Sequence, residues 1–274
     1  MAGRLFLVAT PLGDPDDITV RALRVLAAVG TIAAEDTRVT GALLAHHGIS
    51  ARLLSYHDHN EDRRVAGLIQ QLLTGGDVAL VSDAGTPLIN DPGYRLVDAA
   101  VRQGIEVIVV PGACAVIAAL VGSGLPVDRF VFGGFVPREN GERNATLDAL
   151  GHLGGTMIFY ESPVRLPSTL DALAERWPAR RVVVARNLTK AWEQWIRGTA
   201  TEVRAILGDE SRGEVVLLIG PGDKDADWNA ADALINRLLA KGERAKDVRD
   251  AVSDATGLPK REIYQRILSR PRES

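Results

Sequence analysis

The sequence predicts an α/β fold: two α/β domains followed by a small helical module. Three observations carry this. Short apolar runs, Leu5–Ala9, Thr31–Ala34, Val78–Val81 and Val107–Val110, alternate with segments whose apolar residues recur at helical spacing, the pattern of a largely parallel, doubly wound sheet. Gly122–Asp128 reads as a boundary, beyond which strand-like runs continue with different loops. From Trp228 onward only helical spacing remains. The expected domains are residues 1–122, 123–225 and 226–274.

In chain order, Leu5–Ala9 is a buried strand and Thr10–Asp14 its loop. Asp17 or Thr19 caps a helix carrying Leu23, Leu26 and Ala27 on one face. Thr31–Ala34 is a second strand and Leu53-Leu54 a short third. Asn60 is placed to cap the next helix, which carries Val65, Leu68, Ile69 and Leu72 and stops at Gly75-Gly76. Val78–Val81 and Val107–Val110 complete the first sheet, the latter running into Pro111 and a helix of small residues. In the second domain, Phe130–Phe132, Met157–Tyr160, Val182–Ala185 and Val215–Ile219 read as strands of a mixed sheet, with a helix carrying Leu166, Leu170 and Leu173. In the tail, Leu234, Ile235, Leu238 and Leu239, then Val248 and Val252, then Ile263 and Ile267 mark helices separated by Gly242 and by Gly257-Leu258-Pro259. This is a helix-turn-helix-like grammar.

The totals bound the class. With 46% hydrophobic and 24% charged residues, the composition is that of a globular domain. Cys114 is the sole cysteine, so no internal disulfide is possible. With no apolar run near the ~18 residues of a membrane helix, this predicts a cytoplasmic protein without a membrane partner. Trp228–Ser274 holds ten Lys/Arg against seven Asp/Glu, a charge of +3, while the remainder carries -6.

Parallel strands bring their carboxyl ends to one edge, where open α/β sheets bind ligands. Four loops converge there: Thr10-Pro11-Leu12-Gly13, Glu35-Asp36-Thr37-Arg38, Ser82–Tyr94 and Pro111-Gly112-Ala113-Cys114. In the third, Asp83 follows the strand directly, Gly85 permits close backbone approach, and Pro87 and Pro92 stiffen the turn. Adjacent Glu35 and Asp36 are costly at a buried strand end unless paired or solvated. They read either as site carboxylates or as a structural ion pair with Arg38 at a helix start. Lys190, near Trp192, Glu193 and Trp195, follows a second-domain strand and is either an exposed lysine or a cleft residue. Arg138, Arg143 and Arg165 lie in loops that suit a polyanion. Walker, HExxH, CxxC, GxSxG and GxGxxG patterns are absent. His57 and His59 flank Asp58 without a further ligand cluster, so no metal is expected.

These motifs, with Ala33–Arg38, His57–Asn60, Phe159-Tyr160-Glu161-Ser162 and Leu188-Thr189-Lys190 in the same order, resemble the tetrapyrrole methylase superfamily. Within it they resemble the branch that methylates small-subunit ribosomal RNA, which carries the long form of the Asp83 loop. The resemblance runs from about Leu5 to Ile219, and the tail is similar to that branch's helical module. It implies two α/β domains of the tetrapyrrole methylase type with a cofactor cleft between them, a homodimer, and S-adenosylmethionine as cofactor. The implied acceptor is the ribose 2′-hydroxyl of a cytidine in small ribosomal subunit RNA. Implied cofactor contacts are Leu12, Gly13, Asp83, Gly85, Thr86, Pro87, Gly112, Cys114 and Ala115, with Phe159 and Tyr160 at a second-domain strand end. Glu35 or Asp36 as base, Arg38 as positioning group and Lys190 on the acceptor oxygen are the catalytic candidates. The chain departs from the family at Asp14, Ala113, Val164 and Asn187, where Asn, Pro, His and Glu are common. Rival expectations are methylation of a tetrapyrrole-like small molecule, and a non-catalytic RNA-binding assembly factor on the same fold.

Overall fold

The computed structural model describes residues 2–208, 212–222, 224–256 and 258–270. They divide into two compact units. One comprises Met1–Ala119 with Asn187–Gln194, the other Leu120–Arg186 with Trp195–Ser274.

In the first unit, β1 (Leu5–Val8), β2 (Thr31–Ala34), β3 (Leu53–Ser55), β4 (Val78–Val81) and β5 (Val107–Val110) form one sheet in the order β3-β2-β4-β1-β5. Every pairing in it is parallel. β1, between β4 and β5, sets Phe6 opposite Ala79 of β4 and Ile108 of β5. All four residues of β2 and of β4 are buried, as strands covered on both faces require. Strand alternation sends Phe6, Val8, Ile32 and Val81 to one core, shared with Ala22 and Leu26 of α1 (Val20–Ala28) and Leu44 of α2 (Thr37–His46). It sends Leu5, Ala33, Val78 and Leu80 to the other, with Leu68 and Leu72 of α3 (Glu61–Leu73) and Leu96 and Ala100 of α4 (Tyr94–Arg102). Thr19 caps α1, its hydroxyl accepting from the Ala22 N–H at 3.1 Å. Asn60 stands at the N-cap of α3, but its side chain makes no capping bond to that helix. Its amide donates to the Ser55 carbonyl and accepts from the His57 N–H, fixing the loop instead. The division between units falls inside α5 (Ala115–Ser123), not at Gly122–Asp128.

The second unit is built on a mixed sheet, as expected. Its strands are β6 (Phe130–Phe135), β7 (Thr156–Glu161), β8 (Arg181–Arg186), β9 (Gln194–Thr199) and β10 (Val215–Ile219), in the order β6-β7-β10-β8-β9. β6 and β7 run parallel, while β10 is antiparallel to both β7 and β8. α6 (Asn140–Gly151), α7 (Leu166–Arg176) and α8 (Ala200–Leu207) accompany it. Leu166, Leu170 and Leu173 of α7 enter its core beside Phe159 and Leu217.

The tail folds as α9 (Lys224–Ala240), α10 (Ala245–Thr256) and α11 (Lys260–Leu268). Ala231, Ile235, Val248, Val252, Ile263 and Ile267 give it a hydrophobic cluster of its own. Asp232 accepts from Arg266 and Arg270, holding α9 to the end of the chain's described part. The expected domain break at residues 225/226 falls within α9. Gly257 of the expected separator and the last four tail residues lie outside the described residues.

Candidate active site

Three loops at the carboxyl edge of the first sheet are bonded to one another. Thr10 and Gly85 exchange backbone hydrogen bonds at 2.9 and 3.0 Å, and the Thr10 hydroxyl donates to the Ser82 carbonyl. Gly85 holds φ +83°, a left-handed conformation that glycine takes without strain. The Thr86 hydroxyl donates to the Ala113 carbonyl at 2.9 Å, tying the Asp83 loop to the Pro111-Gly112 loop. Farther along, Leu88 and Asn90 stand at φ +74° and +68°. Such conformations persist only where surrounding bonds impose them, and they gather at functional sites.

The fourth loop separates Glu35 from Asp36. Asp36 caps α2 by accepting from the Arg38 N–H at 2.8 Å, and it is paired with the Arg38 guanidinium at 2.5 Å. Those Arg38 bonds hold its carboxyl down at about 2. Glu35 has no such partner: burial, then the charge of Asp83, pushes it up. The ion-pair reading thus holds for Asp36 and not for Glu35. Asp83 links them, its Oδ1 accepting from the Asp36 N–H at 2.9 Å while its own N–H faces Glu35 Oε2 at 3.5 Å. Asp83 is also pushed up, chiefly by burial.

Asp91 completes the acidic face, and sequence reasoning did not single it out. Burial raises its carboxyl to about 6, the Ser82 hydrogen bond opposes this, and the charges of Glu35, Asp83 and Asp58 add to it. Its neutral form therefore stabilises the fold fully below the unfolded value near 3.8, and this contribution is lost as pH rises through about 6. Discounted for solvent screening, the effect is about 1–2 kcal/mol. Asp91→Asn is expected to leave thermal stability near pH 4 unchanged and to raise the melting temperature at pH 7. A variant whose advantage is the same at both pH values contradicts this.

Lys190 lies where chain order did not place it. The segment Asn187–Gln194 belongs to the first unit, so Lys190 shares that unit with the loops above. A Cβ at Gly13 would fall 2.4 Å from Lys190 Cγ and 3.0 Å from the Leu188 carbonyl, so only glycine fits beneath this segment. Thr189, at φ +61°, accepts from the Asp14 N–H through its hydroxyl and donates its own N–H to Glu193. A β-branched residue in this conformation is an outlier, here held by bonds on both sides. A cavity of about 380 Å³ lies among these groups, lined by Leu12, Gly13, Asp83, Lys190, Ser82 and Thr40 with others.

The remaining expected residues divide. Gly85, Thr86, Pro87, Gly112, Cys114 and Ala115 are all in the first unit, on the bonded loops or their continuations. Phe159 and Tyr160 lie in the second unit on β7. Phe159 is a fully buried core side chain, whereas Tyr160 is partly exposed. His57 and His59 meet edge to face at 5.8 Å. Asp16, His46 and His47, not singled out from sequence, bring three ligand-type atoms within 4.8 Å of one another at the surface.

The model of the tetrapyrrole (corrin/porphyrin) methylases matches residues 4–204. The chain belongs to the tetrapyrrole methylase family. It is similar to "Ribosomal RNA small subunit methyltransferase I" of Micromonospora olivasterospora, 46% identical over 97% of this chain and 87% of that protein. The protein of the same name from Halalkalibacterium halodurans is 43% identical over 96% and 93%. Among solved structures, the uroporphyrin-III C-methyltransferase of Thermus thermophilus, complexed with S-adenyl homocysteine, shares the fold. Its TM-score is 0.57 at 21% identity, covering 80% of this chain and 97% of that one. The tetrapyrrole methylase fold thus accounts for both α/β units, and the chain is a methyltransferase.

Proposed function

We infer that this tetrapyrrole methylase homologue transfers the methyl group of S-adenosylmethionine to the 2′-hydroxyl of a cytidine in small-subunit ribosomal RNA. The observation that carries this reading is the near-full-length similarity to ribosomal RNA small subunit methyltransferases, 46% identity over 97% of the chain. The match covers the helical tail as well as the shared fold, which favours RNA over a tetrapyrrole acceptor. The resemblance further supports a homodimer working in the cytoplasm. No helix among the described residues is long and apolar enough to cross a membrane.

The residues present fit the cofactor. Glu35, Asp83 and Asp91 are each raised chiefly by burial, with neighbouring carboxylates adding to it (Asp83 and Asp58 for Glu35, Asp36 for Asp83, Glu35, Asp83 and Asp58 for Asp91), so this edge favours a cationic ligand. The 380 Å³ cavity beside Asp83 has both apolar and polar walls, within the usual size of ligand sites. When bound, S-adenosylmethionine supplies a methyl group on a cationic sulfur, and the carbon chemistry is its own. Leu12, Gly13, Asp83, Gly85, Thr86, Pro87, Gly112, Cys114 and Ala115 hold it. Glu35, whose carboxyl burial pushes up, is a stronger base than Asp36, which Arg38 holds down, and is better suited to take the hydroxyl proton. Arg38 keeps Asp36 ionised and in place, and Lys190 stabilises the developing alkoxide or receives the proton. Aligning the oxygen with the methyl group supplies much of the remaining rate.

Purified protein incubated with labelled S-adenosylmethionine and small subunits from cells lacking it is expected to label the subunit RNA. Labelling of a porphyrinoid precursor with none on the subunits contradicts the assignment.

A further inference from the structure

A second cavity, of about 580 Å³, lies wholly within the second unit. It is bordered by the end of β6, the start of α6 and the turn between β7 and α7. Its construction is local. Gly134 takes φ +70°, and the β6–β7 register shifts between Phe132 and Phe135. This is a bulge, a device that re-aims the side chain after it. Phe135 is thereby left 53% exposed, although phenylalanine ordinarily goes inside. The Tyr160 ring meets it edge-on at 5.6 Å between centroids and fixes its orientation.

The charged groups around Phe135 do different work. Arg165 is a brace: it donates to the Val136 carbonyl at 3.0 Å and pairs at 2.6 Å with Glu161, whose side chain is fully buried. Glu161 also accepts from the Thr169 hydroxyl at 2.7 Å. Its charge is therefore satisfied, and the wall it supports is rigid. Arg138 and Glu142, by contrast, are exposed on the rim and have no hydrogen-bond or ion-pair partner among the described residues. Val164 adds exposed apolar surface to the lining.

An oriented aromatic face, a rim guanidinium and a rim carboxylate match the three parts of a nucleotide. Bases stack on aromatic faces, phosphates pair with arginine, and carboxylates accept from exocyclic amines. We propose that this cavity receives one nucleotide of the RNA, its base on Phe135, its phosphate at Arg138 and its amino group at Glu142. Glu142 repels phosphate, so it sets the direction in which the nucleotide enters, and it favours amino-bearing bases over uracil. The inference rests on the reading that the acceptor is small-subunit RNA, and it adds the residues that grip that RNA.

The test is filter binding of purified small ribosomal subunits across a salt series, with single-turnover methyl transfer and calorimetry with S-adenosylmethionine alongside. Phe135→Ala is expected to weaken subunit binding about tenfold or more, and Phe135→Tyr to retain it. Arg138→Ala is expected to weaken binding and lower the salt slope by about one. Cofactor affinity should match the parent protein in all three, which also shows that they fold. If Phe135→Ala and Arg138→Ala bind and methylate subunits as the parent does, this inference falls and the RNA reading stands. If the parent binds cofactor yet neither binds nor methylates subunits, both fall.

Discussion

Lys190→Ala slows single-turnover methyl transfer to small ribosomal subunits by about 100-fold or more, with cofactor affinity little changed. The expectation rests on position. Lys190 arches over Gly13, on the cavity that Asp83 also lines, so an amine and a carboxylate share one small space. A hydroxyl that loses its proton during attack needs both an acceptor for that proton and a cation for the charge left behind. Lys190→Arg separates the roles, because arginine keeps the charge but cannot act as a base. Retained transfer by Lys190→Arg assigns charge stabilisation to Lys190 and proton transfer to Glu35. Near-normal transfer by Lys190→Ala contradicts both roles.

Asp83→Ala raises the dissociation constant for S-adenosylmethionine by the equivalent of roughly 1.5–3 kcal/mol, the value of a hydrogen bond to a charged group. The structure adds a complication that the sequence did not show. Asp83 Oδ1 accepts from the Asp36 N–H, so truncation also releases the start of α2 and loosens Glu35. Asp83→Asn resolves this, because its carbonyl keeps the acceptor and only the charge is lost. Affinity retained by Asp83→Asn but lost by Asp83→Ala assigns Asp83 to holding the loop. Affinity lost in both assigns its charge to the cofactor, as proposed. Affinity intact in a folded Asp83→Ala removes Asp83 from the site. All three are read by calorimetric titration at pH 7.

What was legible in the sequence was what depends on local pattern. Val78–Val81 is buried throughout, and an uninterrupted apolar run bounded by polar residues says so without a structure. The convergence of the Thr10, Glu35, Asp83 and Pro111 loops followed from parallel strands alone. Two of the elements missed had weak patterns: α6 buries only Leu147, and in β9 only Ile196 is fully buried. The return of Asn187–Gln194 to the first unit is a tertiary event, imposed by contacts such as Thr189 with Asp14, 175 residues apart. Glu35 and Asp36 are neighbours of the same chemistry in sequence, and only the position of the Arg38 guanidinium tells them apart. Asp91 was quoted within its loop, but its raised carboxyl depends first on burial and then on the charges of Glu35, Asp83 and Asp58, which only folding supplies.

The central claim is that the carboxyl edge of the first sheet serves methyl transfer to a ribose oxygen of small-subunit RNA. Mass mapping of that RNA, from cells lacking this protein and from the same cells complemented with it, tests the claim most directly. The account predicts one cytidine whose ribose carries a methyl group only in the complemented cells, and not when Lys190→Ala supplies the protein. A methyl group found on the base of that nucleotide, or identical RNA from both cells, contradicts it.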